Sequence, residues 1–199
     1  MEQLAAANGL VVRQKKEWGE ILTDFEQRNK YLVTDPAGSD LFAAVETGGS
    51  TLARLFLKNL RPFQMQLMTL NGNPTLELER PFRFYFHELI VADPKRGTLG
   101  SIKRRFSILR RVYSVLDASG REKFALYGPL LHPWTFEIRQ GDKVVGRIVK
   151  KWTGIGKEML TDADTFGVTF PPGCDTSTKA TLLGAVFLID FVHFEDKSG

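Results

Sequence analysis

The segment ATLLGAVFLIDFVHF, Ala180 to Phe194, decides how the rest of the chain must fold. Leu182, Leu183, Val186, Phe187, Leu188, Ile189, Phe191, Val192 and Phe194 cover every face of a helix. A helix that is apolar all round has to be enclosed by something. Asp175, Thr176, Ser177 and Thr178 stand ahead of it as candidate N-caps, so the sequence predicts a helix over 179–194. Crossing a bilayer takes about 20 apolar residues, and a central Asp costs roughly 2.5–3.5 kcal/mol on insertion scales. This run is shorter, and Asp190 and His193 interrupt it. Protein core is therefore the expected surrounding, with a membrane span as the alternative. A β-barrel filled by its own last helix is the natural container. Asp190 then belongs near the barrel mouth or beside a basic residue, because an unpaired buried charge is costly.

Upstream, short apolar and polar stretches alternate, punctuated by turn signals: Asp35-Pro36-Ala37-Gly38, Asn71-Gly72-Asn73-Pro74, Asp93-Pro94, Asp117 to Gly120 and Gly141-Asp142. That rhythm predicts a meandering antiparallel sheet closed into a sandwich or barrel. A short helix is expected over 16–25, where Trp18, Ile21, Leu22 and Phe25 keep helical spacing.

The chain also repeats itself. Tyr31, Val33, Asp35, Gly38, Phe42 and Ala43 recur at identical spacing as Tyr113, Val115, Asp117, Gly120, Phe124 and Ala125. Each set reads as a hairpin with Tyr and Val facing the core and Asp and Gly making the turn. Pro62-Phe63-x-Met65-x-Leu67 is echoed by Pro133-Trp134-x-Phe136-x-Ile138. Gly100-x-Ile102-x-Arg104-Arg105-Phe106 is echoed by Gly146-x-Ile148-x-Lys150-Lys151-Trp152. Two structurally similar halves are expected, against the alternative that alternating windows coincide by chance.

With 199 residues and 43% hydrophobic content, one domain spanning 1–199 is expected. A net charge of +4 favours anionic partners without choosing among them. The single cysteine, Cys174, precludes an internal disulfide and fits a cytoplasmic setting. The first eight residues carry neither a signal-peptide pattern nor a myristoylation site. Catalysis has little support: Cys174 has no nearby histidine, His87, His132 and His193 lack zinc-ligand spacing, and no phosphate-binding glycine loop occurs.

Several stretches together carry a resemblance: Leu22-Thr23-x-Phe25-Glu26-x-x-Asn29-x-Tyr31, Leu78-Glu79-Arg80-Pro81-Phe82-Arg83, Trp152-Thr153-Gly154, Thr161-Asp162-Ala163-Asp164-x-Phe166-Gly167-x-x-Phe170-Pro171 and Gly184-Ala185-x-Phe187-Leu188-Ile189-Asp190-Phe191. From about Leu10 to Glu195 the chain resembles the phospholipid scramblases, whose fold is like that of the Tubby C-terminal domain and plant LURP-one-related proteins. The resemblance implies a mostly β fold, a closed antiparallel barrel of about twelve strands around the C-terminal helix. For eukaryotic members it further implies calcium-triggered movement of phospholipids between leaflets. Those members look palmitoylated at a cysteine cluster just after the Arg-Pro-Phe/Leu-Arg motif. Here that place holds Phe84-Tyr85-Phe86, leaving electrostatic or aromatic contact as the means of attachment.

By the same resemblance, the calcium segment corresponds to 162–173, with Asp162 and Asp164 as oxygen donors and Asp175 as a possible addition. It is not an EF-hand, since Phe166 and Gly173 occupy the fifth and twelfth positions. The plainer reading is a strand and turn with solvated carboxylates. Lys103, Arg104, Arg105, Arg110, Arg111, Lys150 and Lys151, joined by Lys95 and Arg96, are candidates for an anionic-phospholipid patch, at about 1 kcal/mol each. The plainer reading is a solvated outer face. Phe106 and Trp152 beside these charges would also suit nucleic acid, but no nucleic-acid-binding motif accompanies them. Two functions stay open: a lipid-translocating scramblase, peripheral at the membrane, or a soluble Tubby-like module that binds lipid or protein without moving lipid.

Overall fold

Period-two alternation produces strands that bury one face. In β4 (Phe63–Thr69), Phe63, Met65 and Leu67 are buried while Gln64 is exposed. The computed structural model describes residues 1–14, 29–48, 62–82, 86–129, 131–132, 134–150 and 165–193. The helix expected over 16–25 lies outside them. Among the described residues twelve strands form one sheet. The others are β1 (Gly9–Gln14), β2 (Lys30–Thr34), β3 (Asp40–Gly48), β5 (Pro74–Arg80), β6 (Glu88–Asp93), β7 (Gly97–Arg104), β8 (Arg111–Asp117), β9 (Glu122–Gly128), β10 (Thr135–Gln140), β11 (Lys143–Lys150) and β12 (Thr165–Thr169). Each pairs antiparallel with its neighbours in sequence. β1 pairs with β12 from Gly9 opposite Thr169 to Arg13 opposite Thr165, which closes the barrel.

An up-and-down barrel has two unlike ends. The tight hairpins at Asp35–Ser39, 70–73, 94–96, 118–121 and 141–142 all fall at one, here called the turn end. The longer connections, among them 81–87, 105–110 and 129–134, fall at the other, the loop end.

Helix α2 (Thr176–His193) enters at the turn end and runs up the barrel. Of the candidate N-caps the chain uses Asp175, whose carboxylate accepts the Thr178 N–H at 2.7 Å. Thr178 through Val192 are buried on every side, as the apolar pattern requires. Eighteen residues span about 27 Å, close to the ~26 Å of the eight-residue strands β7 and β11. Near the loop end, Phe191 stacks on Phe63 with centroids 4.0 Å apart, and Phe187 meets Tyr31 edge-on at 5.2 Å. The helix leans on β6 and β7. A Cβ at Gly184 would come within 2.6 Å of Val91, and one at Gly100 would lie 2.4 Å from the Leu116 carbonyl and 2.5 Å from Thr181.

Asp190 is satisfied at the loop end as expected: the Tyr31 hydroxyl donates to its carboxylate at 2.8 Å. One turn on, Tyr113 and His193 share a 2.8 Å hydrogen bond. Tyr31 and Tyr113 are the matched tyrosines of the internal repeat. The repeat extends to detail: in both hairpins the Gly N–H bonds the Asp carbonyl and a later N–H bonds the Asp carboxylate. Both carry a register shift at the same place, after Val33 and after Val115. Gly38 and Gly120 both have positive φ, 96° and 81°, where a side chain would be strained. These echoes relate strands six places apart, as does the pair Phe63 and Trp134. The third echo relates β7 to β11, four places apart, so it stands outside the two-half relation.

A second helix, α1 (Glu2–Ala6), was not anticipated from the sequence. It covers the turn end with Leu4 fully buried. Lys179, buried in the first turn of α2, donates to the carbonyls of Ala5 and Ala7 at 2.6 and 2.7 Å. Those carbonyls offset the cost of a cation near the positive end of the helix dipole.

Two outcomes follow from this packing. Gly100→Ala forces a methyl against the β8 backbone and costs about 1–3 kcal/mol, read as a lower Tm in calorimetry; an unchanged Tm would contradict the tight helix–wall contact. Burial, followed by Arg80 and Arg104, holds His87 down to about 4, and burial, followed by Arg111, Arg104 and His87, holds His193 down to about 3. The unfolded chain takes up these protons near 6.5, so it binds more protons than the fold below that pH. Stability from these groups is therefore complete above pH 6.5 and declines as the pH falls toward 4 and 3. In Tm measured against pH, His193→Gln flattens that decline.

Candidate functional site

The basic residues are placed by the strands that carry them. Lys103 and Arg104 end β7, Arg105 and Arg110 lie in the connection that follows, and Arg111 opens β8. All five therefore gather at the loop end. They divide by direction. Lys103 and Arg105 face outward and pair with Glu88 at 2.9 Å and Glu122 at 3.5 Å. Arg110 is exposed with its guanidinium 5.0 Å from the Tyr127 ring centre. Arg111 is half-buried, 4.5 Å above Phe136, and burial lowers its pKa. The charges of Arg104, Arg111 and Arg80 reach Tyr113, although burial dominates and pushes that phenol up to about 12.

The other candidates are not part of this group. Lys150, buried with its ammonium 5.3 Å from the Phe166 ring, is also at the loop end but four strands further around the wall, about 19 Å along the sheet. Lys151 lies outside the described residues. Lys95 and Arg96 sit in the β6–β7 hairpin at the turn end.

Sequence reading missed the apolar half of the same end. Phe106, Ile108 and Leu109 in the β7–β8 loop are 80%, 85% and 68% exposed, and Leu131 in the β9–β10 loop is 89% exposed. Phe82 and Phe86 in the β5–β6 loop and Trp134 before β10 are exposed too. Elsewhere among the described residues only Leu70 and Val144 are large exposed apolar side chains. The signal was present: 81–87, 105–110 and 129–134 contain no Asp or Glu. Their common location was not visible until the barrel brought three separated loops to one rim.

The carboxylates proposed for calcium do not form a described site. Asp162 and Asp164 lie outside the described residues. Asp175 caps α2 at the turn end. Among the described residues no three His, Cys, Asp or Glu side chains converge to hold a metal. With two of the three candidate carboxylates outside the described residues, no step is assigned to the ion. Cys174 is half-buried, and burial followed by Asp175 pushes its thiol up to about 11, which suppresses the thiolate at neutral pH. A cavity of about 390 Å³ at the turn end, lined by Asp117, Arg121, Lys123, Asp175 and several hydroxyls, mixes both charge signs and selects no ligand class.

No helix among the described residues is long and apolar enough to cross a membrane. The Scramblase family model matches residues 1–196. Phospholipid scramblase 1 of Mus musculus is 32% identical over 98% of this chain and 63% of its own length. Phospholipid scramblase 2 of Bos taurus is 32% identical over the whole chain and 72% of its own length. This chain thus spans less than two thirds of the mouse protein. Among solved structures, one of an Arabidopsis thaliana protein aligns over 96% of both chains at 15% identity with a TM-score of 0.49. A twelve-stranded barrel filled by its C-terminal helix, matched along almost its whole length by the family model, places this chain in the scramblase family.

Proposed function

We propose that this scramblase-family chain binds anionic phospholipid surfaces through the basic residues of β7, β8 and the loop between them. The observation that carries the reading is the gathering of Arg104, Arg105, Arg110 and Arg111 at one end of the barrel around a loop without carboxylates. Each basic side chain close to an anionic bilayer is worth about 1 kcal/mol, so a few together suffice for reversible docking. The ion pairs of Lys103 and Arg105 lessen their share, which leaves Arg110 the largest exposed contribution.

The name borne by the mouse and bovine relatives supports a second step, movement of phospholipid between leaflets. Translocation needs a polar route for the headgroup through the hydrocarbon. With α2 enclosed in the barrel, a docked chain would have to open that route from the bilayer surface. The competing reading is a module that binds lipid and leaves its transbilayer distribution alone. Calcium dependence rests on Asp162 and Asp164 and on the relatives' resemblance.

Sedimentation with vesicles of phosphatidylcholine, with and without phosphatidylserine, tests the docking. Binding is expected only with the anionic lipid, weakened by salt, and reduced at least tenfold or so by Arg105→Glu with Arg110→Glu. Equal binding to both vesicles would sink the electrostatic reading. Dithionite quenching of a fluorescent lipid in the same anionic vesicles, with and without millimolar calcium, separates the two functions. Faster exchange identifies a scramblase. Unaltered exchange under both conditions leaves the binding module, and a response to calcium lost in Asp162→Asn with Asp164→Asn assigns the ion.

A further inference from the structure

We infer that the barrel docks end-on, with the β5–β6, β7–β8 and β9–β10 loops inserting their apolar side chains into the interfacial layer of the bilayer. The inference rests on the docking reading above and adds to it a penetrating surface and an orientation. Charge alone would be content with the outer wall of β7 lying flat on the membrane. The apolar residues are what distinguish the end from the wall.

Three features point the same way. Phe106, Ile108, Leu109 and Leu131 are each at least 68% exposed, and they cap loops that follow one another around the rim. Large apolar side chains grouped in this way mark a contact surface, whereas isolated ones mean nothing. Second, the occupant is indicated by charge. The three loops carry no carboxylate, Arg105 and Arg110 bracket the apolar run Phe106 to Leu109, and the exposed aromatics Phe86 and Trp134 flank it. Apolar tips ringed by aromatic and basic residues complement a layer that is hydrocarbon below and anionic above. A water-soluble partner would need acidic groups around an apolar socket to satisfy the same surface.

Third, the insertion demands no unfolding. The loops project from a closed wall, and the backbone next to them is engaged: the Arg105 N–H bonds the Val112 carbonyl, and the Lys150 N–H bonds the Trp134 carbonyl. Such a rigid frame lets short tips enter to headgroup depth while the strands stay outside. End-on docking also turns the closing residues of α2, with the Tyr31–Asp190 and Tyr113–His193 hydrogen bonds, toward the membrane. The turn end, with α1, then faces away.

The test uses the full chain in a Cys174→Ala background, with a single cysteine at Ile108, Leu131 or, as a control at the turn end, Asn71, each labelled with an environment-sensitive nitrobenzoxadiazole dye. On vesicles containing phosphatidylserine, labels at 108 and 131 are expected to shift to the blue and to be quenched by spin-labelled lipid, with no change at 71. Ile108→Asp and Leu131→Asp, exposed enough to keep the fold and its Tm, are each expected to weaken vesicle binding by about tenfold. Vesicle binding with silent labels at 108 and 131 would overturn end-on insertion while leaving electrostatic docking in place. Absence of any binding to anionic vesicles would remove both. A dimer in analytical ultracentrifugation that Ile108→Asp dissociates, without vesicle binding, would show the rim to be covered by a second copy and would also overturn the inference.

Discussion

Everything in this molecule answers to one constraint: a helix with no polar face has to be enclosed. α2 is apolar around its whole circumference, and water can be kept from it only by a surface that surrounds it completely. A sheet does this by closing on itself, which also removes the exposed edges that an open sheet would present. Wall and helix then have to match in shape, with aromatic rings meeting near the loop end and glycines where helix and wall come closest. Phe63 and Tyr31 fill against Phe191 and Phe187, while Gly184 and Gly100 let the helix rest on β6 and β7. The few polar groups carried along are satisfied where they are stranded, Asp190 by Tyr31 and Lys179 by the carbonyls of α1.

Closure by an up-and-down meander has a further effect, since alternate connections must emerge at the same end. Tight hairpins, each with a glycine at positive φ, occupy one end, where α1 also covers the barrel. The other end is free to carry longer loops, and these hold the exposed aromatic, aliphatic and basic residues. A scaffold held together by its core can tolerate such a surface, because loops carried on a rigid frame are free to vary.

The two halves of the barrel show the same division at the level of single residues. The matched tyrosines Tyr31 and Tyr113 both reach the end of α2, and their hairpins share turn and register. Phe63 and Trp134 also occupy matched positions, yet Phe63 is buried against Phe191 and Trp134 stands exposed at the rim. At this matched pair the halves differ because Phe63 has a partner ring on the helix, Phe191.

Much of this was legible in the chain before any coordinates. The all-round apolar tail, its length and its Asp pointed to a helix enclosed in protein ahead of one in a bilayer, because apolar side chains leave water wherever an apolar surrounding is offered. The hairpins were legible because an Asp and a Gly at fixed spacing demand a turn wherever they occur. The site was legible only in part. Lys103 to Arg111 were visible as a cluster because they are neighbours in sequence, whereas Lys95 falls at the opposite end of the barrel and Lys150 four strands around the wall, since strand direction and strand order decide where on a barrel a residue lies. Asp175, legible both as a candidate N-cap and as an oxygen donor, caps α2 through the N–H of Thr178. The apolar rim belongs wholly to the tertiary structure. Phe106 and Leu131 lie far apart in the chain, and alternating apolar residues read alike whether they face inward or out. Only closure of the wall, by filling the interior with α2, leaves these side chains outside and brings them together.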